Sequence, residues 1–243
     1  MASAARRRAD LLLVERGLFE SRAKAQDAIA AGRVTADGVV VAKPSAEIAV
    51  DARIAAAPAH PYVSRGGLKL AAALDQTGIP VAGRICLDVG ASTGGFTDVL
   101  LARGAARVYA VDVGHGQLHE RLRGRSEVVS MEGTDIRALG GLPEPPDLVV
   151  IDVSFISLKL VLSDALRLAA PAADLVALVK PQFELKRSAL KKGIVRDPPL
   201  QQQACDDIAA FIAGLGCRIV TTLPSPIPGG DGNREFLVVA RRG

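Results

Sequence analysis

The chain of 243 residues is predicted to hold an α/β domain, built on a seven-stranded and mostly parallel sheet, behind a small α+β domain. From about Val81 onward, short apolar strands alternate with helical stretches, which is typical of helices packed against a parallel sheet. The last two candidate strands are separated only by residues 223–234, too few for a crossover helix, so they should pair antiparallel. Small residues and prolines at 55–63 predict a linker. We therefore expect domains at residues 1–54 and 64–243.

Composition predicts a folded protein of the reducing cytoplasm. Hydrophobic residues make up 49% of the chain and charged residues 23%, which excludes wholesale disorder. The three cysteines are far apart in the sequence, so we expect neither a disulfide framework nor a metal site. The N-terminus, with arginines at 6–8, does not resemble a signal peptide. The longest apolar stretch, residues 208–217, is about half of what a spanning helix needs, so no membrane association is expected.

The net charge of +4 is unevenly distributed. Residues 1–69 contain 11 basic and 7 acidic residues, whereas the rest of the chain contains 19 of each. All of the net positive charge therefore lies in the N-terminal part, which directs the search for a polyanionic partner to that part.

The N-terminal part shows two short helices and a hairpin. Residues 9–15 have an apolar face at helical spacing, and Gly17 is a suitable C-cap. Ser21 predicts the N-cap of a second helix at residues 22–31, where the first backbone N–H groups favour an anion. Residues 33–41 predict two strands joined by an Asp-Gly turn. On charge alone, the basic side chains here are more simply interpreted as a solvated surface.

The sequence from Arg8 to Val34 resembles a small RNA-binding domain named after the fourth small-subunit ribosomal protein, which also occurs in pseudouridine synthases and a tyrosyl-tRNA synthetase. Its most specific features here are Gly-Leu-x-x-Ser-Arg and Gly-Arg-Val-x-x-x-Gly. The resemblance implies binding to structured RNA. The candidate RNA-binding residues of this part are Arg6, Arg8, Ser21, Arg22, Lys24, Arg33 and Lys43.

The predicted strands of the larger domain carry a cofactor motif. They lie at residues 85–89, 108–112, 128–131, 148–152, 175–180, 217–222 and 235–240. The first ends in a glycine-rich turn that opens a helix, and Asp112 ends the second at the distance where an acid reaches ribose hydroxyls. The turn has the spacing G-x-x-x-G-G rather than the G-x-G-x-x-G of nicotinamide cofactors, and Asp88 precedes it. A negative charge there suits an ammonium or sulfonium group better than a pyrophosphate, which favours S-adenosylmethionine over a nicotinamide cofactor or an empty turn.

The candidate cofactor-binding residues are Asp88, Gly90, Ser92, Thr93, Gly94, Gly95, Phe96, Asp112 and Asp135. Asp135 follows the third strand and has two interpretations of equal weight. It is either a contact to the adenine amino group or the N-cap of the next helix.

Four ionisable residues occupy the ends of strands or helices where a Rossmann-like sheet builds its site. Asp152 and Lys180 end the fourth and fifth strands, Glu235 opens the last strand, and Lys69 enters the helix before the first strand. A lysine that follows a strongly apolar strand must be paired or shifted in its pKa. Each residue taken alone is more simply a surface ion pair.

Together these segments resemble the FtsJ-type ribose 2′-O-methyltransferases, and with the N-terminal part they resemble the TlyA family. The resemblance covers nearly the whole chain, through Ser-Arg-Gly-Gly-x-Lys-Leu, Gly-Ala-Ser-Thr-Gly-Gly-Phe-Thr, Asp-x-Ser-Phe-Ile-Ser-Leu and Val-Lys-Pro-Gln-Phe-Glu. It implies methylation of a cytidine 2′-hydroxyl in ribosomal RNA, with a catalytic tetrad of Lys69, Asp152, Lys180 and Glu235. The target nucleotide and the ribosomal subunit stay open.

A ribose hydroxyl is a poor nucleophile, so its methylation needs positioning and help with the proton. We assign Lys180 as the base or the hydroxyl-steering group, with the other three tuning it. Methylation of a base is the main rival. Asp152-Val153-Ser154-Phe155 lacks the prolines of amino-directed enzymes, and no cysteine stands where a carbon-directed enzyme needs its nucleophile.

A basic loop at residues 186–196 follows Lys180. Its composition is consistent with a disordered, solvated loop. We favour the other interpretation, in which the loop binds substrate phosphates and becomes ordered on binding. Arg65 is a weaker candidate for coupling RNA capture to the site. The candidate RNA-binding residues of the larger domain are Arg65, Lys186, Arg187, Lys191 and Lys192.

Two other functions stay open at this point. Relatives of the family have carried the label haemolysin, so a membrane-active protein is one alternative, although no exposed amphipathic or spanning segment is evident. A non-catalytic RNA-binding ribosome assembly factor is the other, and the intact tetrad argues against it. We expect a monomer that binds a ribosomal subunit.

Overall fold

The computed structural model describes residues 5–243, except the side chain of Arg187. Contacts within the chain divide it into two compact units, with the division between Pro61 and Tyr62. The candidates Arg6 and Arg8 lie within the described part, whereas the side chain of the candidate Arg187 lies outside it.

The first unit contains the predicted helices and hairpin together with strand pairs that the sequence did not predict. The Asp37-Gly38 turn joins β2 and β3 in antiparallel pairing, as expected. In addition, β1 pairs with β4, and β5 pairs with β2, both antiparallel. The elements are β1 (Arg6–Arg8), α1 (Ala9–Glu15), α2 (Arg22–Ala30), β2 (Val34–Ala36), β3 (Val39–Val40), β4 (Glu47–Ala49) and β5 (Ile54–Ala56).

The extra strands change one boundary. Ala55 and Ala56, which their composition assigned to the linker, form ladder pairs with Thr35 and Val34. Alanine-rich sequence does not distinguish a short edge strand from a linker, because the pairing partner lies far along the chain.

The larger unit has the predicted sheet. Within the described residues its strand order is β11-β12-β10-β9-β6-β7-β8, and β12 is antiparallel to both of its neighbours. The strands are β6 (Ile85–Val89), β7 (Arg107–Asp112), β8 (Val128–Glu132), β9 (Leu148–Ile151), β10 (Asp174–Val179), β11 (Cys217–Pro224) and β12 (Phe236–Arg242). The seven-stranded sheet with an antiparallel last strand is therefore confirmed.

Helices cover both faces of this sheet. The helices are α3 (Gly66–Thr77), α4 (Gly95–Ala102), α5 (Glu120–Arg123), α6 (Lys159–Leu168), α7 (Pro181–Glu184) and α8 (Pro198–Gly214), with short 3-10 turns at Ile136–Ala138 and Arg187–Ala189. Leu74 of α3 and Leu100 of α4 belong to one buried cluster, and Leu162 of α6 and Ile208 of α8 to the other. The central strands β9 and β10 are buried along their whole length, as expected for parallel strands covered on both faces.

Ion pairs connect side chains at one end of the sheet. At the end where the parallel strands begin, Arg84 forms ion pairs with Asp147 and Asp174, and Arg241 also binds Asp174. These charged groups are paired with one another. A ligand site is therefore expected at the opposite end of the sheet, at the carboxyl ends of the parallel strands. None of the helices in residues 5–243 is both long and apolar enough to cross a membrane.

Candidate active site

The register of the sheet places the candidate residues at one edge. Val111, Val89 and Ile151 are aligned across three neighbouring parallel strands, so Asp112, Gly90 and Asp152 lie side by side at the carboxyl ends of these strands. The prediction placed Asp152, Lys180 and Glu235 inside their strands. In the structure Asp152 and Lys180 follow β9 and β10, and Glu235 precedes β12, each by one residue.

A cleft of about 570 Å³ opens at this edge. It has the size of a pocket for a nucleoside-sized molecule. We call it the main cleft. Its lining residues are Val89, Gly90, Ser92, Val111, Asp112, Val113, Gly114, Gln117, Thr134, Asp135, Ile136, Arg137, Asp152, Val153, Ser154, Phe155, Ile156 and Val161.

Backbone geometry brings the glycine turn and the acids together. Gly90 has φ +84°, and a Cβ atom there would lie 2.5 Å from the carbonyl oxygen of Asp152. Only glycine therefore allows the backbone that follows β6 to approach the backbone that follows β9 so closely. Asp112 accepts hydrogen bonds from the N–H groups of Ser92 (2.8 Å) and Gly114 (2.7 Å), which fixes its carboxylate at the wall of the main cleft.

The structure places Asp88 differently from the sequence expectation of a direct contact to a cationic ligand. Its side chain is fully buried and does not line the main cleft. One carboxyl oxygen accepts a hydrogen bond from the Thr97 hydroxyl at 2.6 Å, and the other has no partner. Burial raises the pKa of Asp88 to about 7, against the lowering effect of the Thr97 hydrogen bond. The side chain is buried because residues of a parallel central strand are covered on both faces.

The remaining turn residues have separate locations. Phe96 is buried in the core cluster that contains Leu70 and Leu74, so its ring packs there. Gly94 has φ +92°, and a Cβ atom there would lie 2.3 Å from Leu122. Thr93 and Gly95 line a second, smaller space described below. Gly94 and Phe96 thus have roles in packing, which the motif alone did not reveal.

Asp135 has a capping contact and also a position on the wall of the main cleft. Its side chain caps the 3-10 turn by accepting the N–H of Arg137 at 3.0 Å, and it also lines the main cleft. The Arg137 guanidinium lowers the pKa of Asp135 to about 2. The N-cap interpretation is confirmed, whereas the adenine contact stays a prediction.

The four tetrad residues form two ion pairs. Lys69 Nζ lies 2.5 Å from Glu235 Oε2, and both side chains are buried. Lys180 Nζ lies 2.6 Å from Asp152 Oδ1. Val179 of β10 is paired with Phe236 of the antiparallel β12. Lys180 comes directly after Val179 and Glu235 directly before Phe236, so the two residues lie opposite each other. These are not the surface ion pairs that each residue suggested alone, since three of the four residues are buried.

Two residues of this tetrad, Asp152 and Lys180, line a smaller space of about 170 Å³. We call it the lysine cleft. It shares Gly90, Ser92, Asp152 and Ser154 with the main cleft. Its lining residues are Ser64, Gly66, Gly90, Ala91, Ser92, Thr93, Gly95, Phe96, Asp152, Ser154 and Lys180. A molecule in the main cleft is therefore next to Lys180 and Asp152.

Two residues of the site were missed as individual candidates. Ser154 Oγ accepts a hydrogen bond from Lys180 Nζ at 2.6 Å. Phe155 lines the main cleft, is 86% exposed, and has φ +68°, a conformation that is uncommon for a bulky residue. Both belong to the Asp-x-Ser-Phe-Ile-Ser-Leu motif, whose position after a strand was the available signal.

In the first unit, the candidates Arg6, Arg8, Arg22 and Lys24 have intramolecular partners. Arg8 and Arg22 both form ion pairs with Asp10, whose side chain is fully buried. Gln26 also donates a hydrogen bond to this carboxylate. Lys24 pairs with Glu20, Arg6 donates to the Glu47 carbonyl, and Ser21 caps α2 by accepting the Lys24 N–H.

The basic loop is tied to the segment before β12. Asn233, which is buried, accepts the N–H of Val195 at 3.0 Å and donates to the Gly193 carbonyl at 3.1 Å. Gln201 of α8 donates to the Val195 carbonyl at 2.7 Å. The loop therefore has internal restraints that the sequence prediction of order only on binding did not include. Lys186, Lys191 and Lys192 are exposed on this loop, and Arg65 is exposed before α3.

The cysteines do not lie at the site as nucleophiles. Cys86, Cys205 and Cys217 are all buried, and burial raises the pKa of Cys86 and of Cys205 to about 12. This argues against a carbon-directed base methyltransferase, because such an enzyme needs a reactive thiolate. Over the described ranges, no cluster of three or more His, Cys, Asp or Glu side chains is arranged to hold a metal ion.

Two family profiles match the chain. The FtsJ-like methyltransferase profile matches residues 62–242, and the S4 domain profile matches residues 7–54.

Individual relatives match along most of their length. YqxC of Bacillus subtilis, by name a candidate rRNA methyltransferase, is 46% identical over 95% of this chain and 84% of its own. The 16S/23S rRNA (cytidine-2′-O)-methyltransferase TlyA of Mycobacterium tuberculosis is 44% identical over 98% of this chain and 91% of its own. A solved structure from Streptococcus thermophilus, described as a candidate hemolysin, has a TM-score of 0.75 and 40% identity, covering 99% of this chain and 90% of that chain.

Proposed function

The chain belongs to the FtsJ-like methyltransferase family and carries an S4 domain, and from this we propose that it methylates a cytidine 2′-hydroxyl of ribosomal RNA. Relatives that bear the TlyA name and match nearly the whole chain are named for this reaction. The single observation that carries the proposal is the Lys180–Asp152 pair at the point where the main cleft and the lysine cleft meet.

The main cleft fits S-adenosylmethionine. Its volume of about 570 Å³ suits a nucleoside with a short side chain, and the Asp112 carboxylate is fixed at its wall for ribose hydroxyls. Gly90 and Ser92 line both spaces, so they lie at the junction between the main cleft and the lysine cleft. S-adenosylmethionine, when bound, supplies an electrophilic methyl group.

Lys180 holds the nucleophile in this proposal. Its Nζ atom donates a hydrogen bond to Ser154 Oγ and forms an ion pair with Asp152, and both residues line the lysine cleft. This fixed ammonium is suited to steering the ribose 2′-oxygen, because positioned hydrogen-bond donors reduce the reorganisation that the reaction needs. Asp152 balances the charge of Lys180, and the buried Lys69–Glu235 pair fixes the β12 side of the site.

RNA binding is assigned to the exposed basic side chains of both units. Arg33 and Lys43 of the first unit and Lys191 and Lys192 of the basic loop are exposed. Contacts of this kind bind the phosphate backbone without reading sequence. Recognition of the target nucleotide then depends on RNA structure, as is usual for proteins that bind folded RNA.

The test is transfer of labelled methyl groups to isolated ribosomal subunits, followed by alkaline hydrolysis of the RNA. A 2′-O-methyl group blocks cleavage at its own nucleotide, so a missing band maps the site. We expect Lys180→Ala to abolish transfer while leaving binding of S-adenosylmethionine within about threefold, since Lys180 acts on the nucleophile. Arg218→Ala, an exposed residue of β11, is the control and should retain activity. Label on a base, or full turnover by Lys180→Ala, would contradict the proposal.

A further inference from the structure

Glu184, at the end of α7, bonds to the loop that follows Asp152. Its carboxylate accepts the backbone N–H of Leu158 at 2.9 Å and the hydroxyl of Ser157 at 2.5 Å. The Ser157 hydroxyl in turn accepts the N–H of Lys159, the first residue of α6, at 3.2 Å. Glu184 belongs neither to the tetrad nor to the RNA-binding candidates, so the proposed methyl transfer does not by itself account for these bonds.

The loop that Glu184 contacts forms one wall of the active site. We call residues 153–157 the wall loop. Ser154 touches Lys180 and lines both clefts, and Phe155 lines the main cleft. Phe155 has φ +68° and is 86% exposed, so burial of its own ring does not hold it in this unfavourable conformation. Such a conformation persists only where neighbouring contacts fix it.

Three side chains of a single short segment supply those contacts. Lys180 binds Ser154, and the ring of Phe183 lies 5.3 Å from that of Phe155, centroid to centroid. Glu184 then binds the far end of the wall loop. The segment after β10 is thus attached to the wall loop at its beginning, middle and end.

We propose that Glu184 is a positioning residue, which fixes the wall loop so that Ser154 and Phe155 stay beside Lys180 during methyl transfer. Its importance for turnover rests on the proposed function, whereas its effect on the loop does not. The simpler interpretation is that Glu184 only stabilises the start of α6. A glutamine can accept the Leu158 N–H and still contact the Ser157 hydroxyl, so Glu184→Gln preserves the position of the loop, whereas Glu184→Ala removes both bonds.

A tryptophan placed in the wall loop reports its position directly. The chain contains no tryptophan, so Phe155→Trp provides a single fluorophore. In this background we expect Glu184→Ala to lower the fluorescence anisotropy and raise the acrylamide quenching constant, and Glu184→Gln to leave both unchanged. Ala165→Gly, in the buried face of α6, is the control that destabilises the helix without touching the loop. Unchanged anisotropy in Glu184→Ala, or an equal change in Ala165→Gly, would overturn the proposal.

Kinetics in the otherwise unmodified chain test the consequence for the reaction. At a temperature where circular dichroism shows every variant folded, Glu184→Ala should lower kcat by about tenfold or more, since small displacements of reacting groups are costly. The KM for the ribosomal subunit should stay within about threefold, and Glu184→Gln should restore kcat. A rise in KM alone would contradict positioning at the reaction. Absence of turnover in the unmodified protein would contradict the proposed function and leave the fluorescence result to decide the role of Glu184.

Discussion

At the scale of a residue, the buried carboxylate of Asp10 brings together two arginines from different parts of the sequence. Arg8 and Arg22 are far apart in the chain but both bind this side chain, and each keeps about half of its own surface exposed. The hydrogen bond from Arg8 is the largest of the effects that hold the pKa of Asp10 well below its usual range. Two exposed guanidinium groups are thereby held next to each other, which is the arrangement that a phosphate group needs.

We expect Asp10→Asn to weaken RNA binding several-fold, because it loosens both arginines without removing any positive charge. The affinity is measured by filter binding of a ribosomal subunit at fixed salt. Asp51→Asn, at an exposed position of the same unit, removes the same charge and is the control. Equal affinities of Asp10→Asn and Asp51→Asn would contradict the positioning of the arginines by Asp10.

Asp88 predicts a pH dependence of stability. Its pKa is about 7 in the folded protein and about 3.9 in an unfolded chain, so the folded state binds the proton more tightly. The free energy of unfolding therefore falls as the pH rises from about 4 to about 7, by about 1.4 kcal/mol per pH unit, and is level above that range.

In Asp88→Asn this decline should be absent, because the amide keeps the Thr97 hydrogen bond and does not ionise. Urea unfolding of both proteins at pH 5, 6, 7 and 8 gives the difference, with exposed Asp75→Asn as the control. Parallel pH profiles for Asp88→Asn and the unmodified protein would show that Asp88 is not protonated when folded.

At the scale of elements, the buried side-chain amide of Asn233 connects the basic loop to the segment before β12. Asn233 lies two residues before Glu235 and binds Gly193 and Val195 of the basic loop. A loop of this composition on its own predicts disorder. The restraint comes from a residue about forty positions away in sequence, so composition of the loop does not report it.

We expect Asn233→Ala to free the basic loop, because it leaves the Val195 N–H without its acceptor in a buried position. Hydrogen exchange measured by mass spectrometry should become faster in peptides that span residues 193–195. The control, Asp231→Ala, is an exposed residue of the same segment and should leave that exchange unchanged. Unaltered exchange in Asn233→Ala would mean that other contacts hold the loop.

At the scale of the whole molecule, a small net charge conceals two basic surfaces. The first 69 residues contain all of the net excess of +4, while the remaining residues contain 19 basic and 19 acidic side chains. Within the larger unit, the acids Asp112 and Asp152 line the main cleft, and lysines lie on the exposed loop. The net charge of the chain therefore does not reveal where its basic side chains are concentrated.

If both basic surfaces bind RNA phosphates, substitutions in each of them should reduce the salt dependence of RNA binding. In the double variant Lys191→Ala, Lys192→Ala, the slope of log affinity against log salt for a ribosomal subunit should fall by about 0.7–0.9 for each phosphate that the variant no longer neutralises. Arg33→Ala should lower the slope by a similar amount for its single phosphate, and Arg218→Ala should leave it unchanged. An unchanged slope in the double variant would place the basic loop outside the RNA interface.

The sequence by itself determined the fold class, the antiparallel pairing of the last two strands, and the family motifs. Those features depend on local periodicity, loop length and residue type, which one stretch of chain contains completely. The glycine turn and Asp112 were likewise evident from spacing after apolar strands.

Only the tertiary structure decided which side chains are buried and which side chains contact one another. It turned Asp88 into the core, paired Lys69 with Glu235 and Lys180 with Asp152, and attached Glu184 to the wall loop. These contacts join residues that strand register and helix packing bring together from distant parts of the chain. Their free energies depend on burial and on distances of a few ångströms, which sequence spacing does not contain.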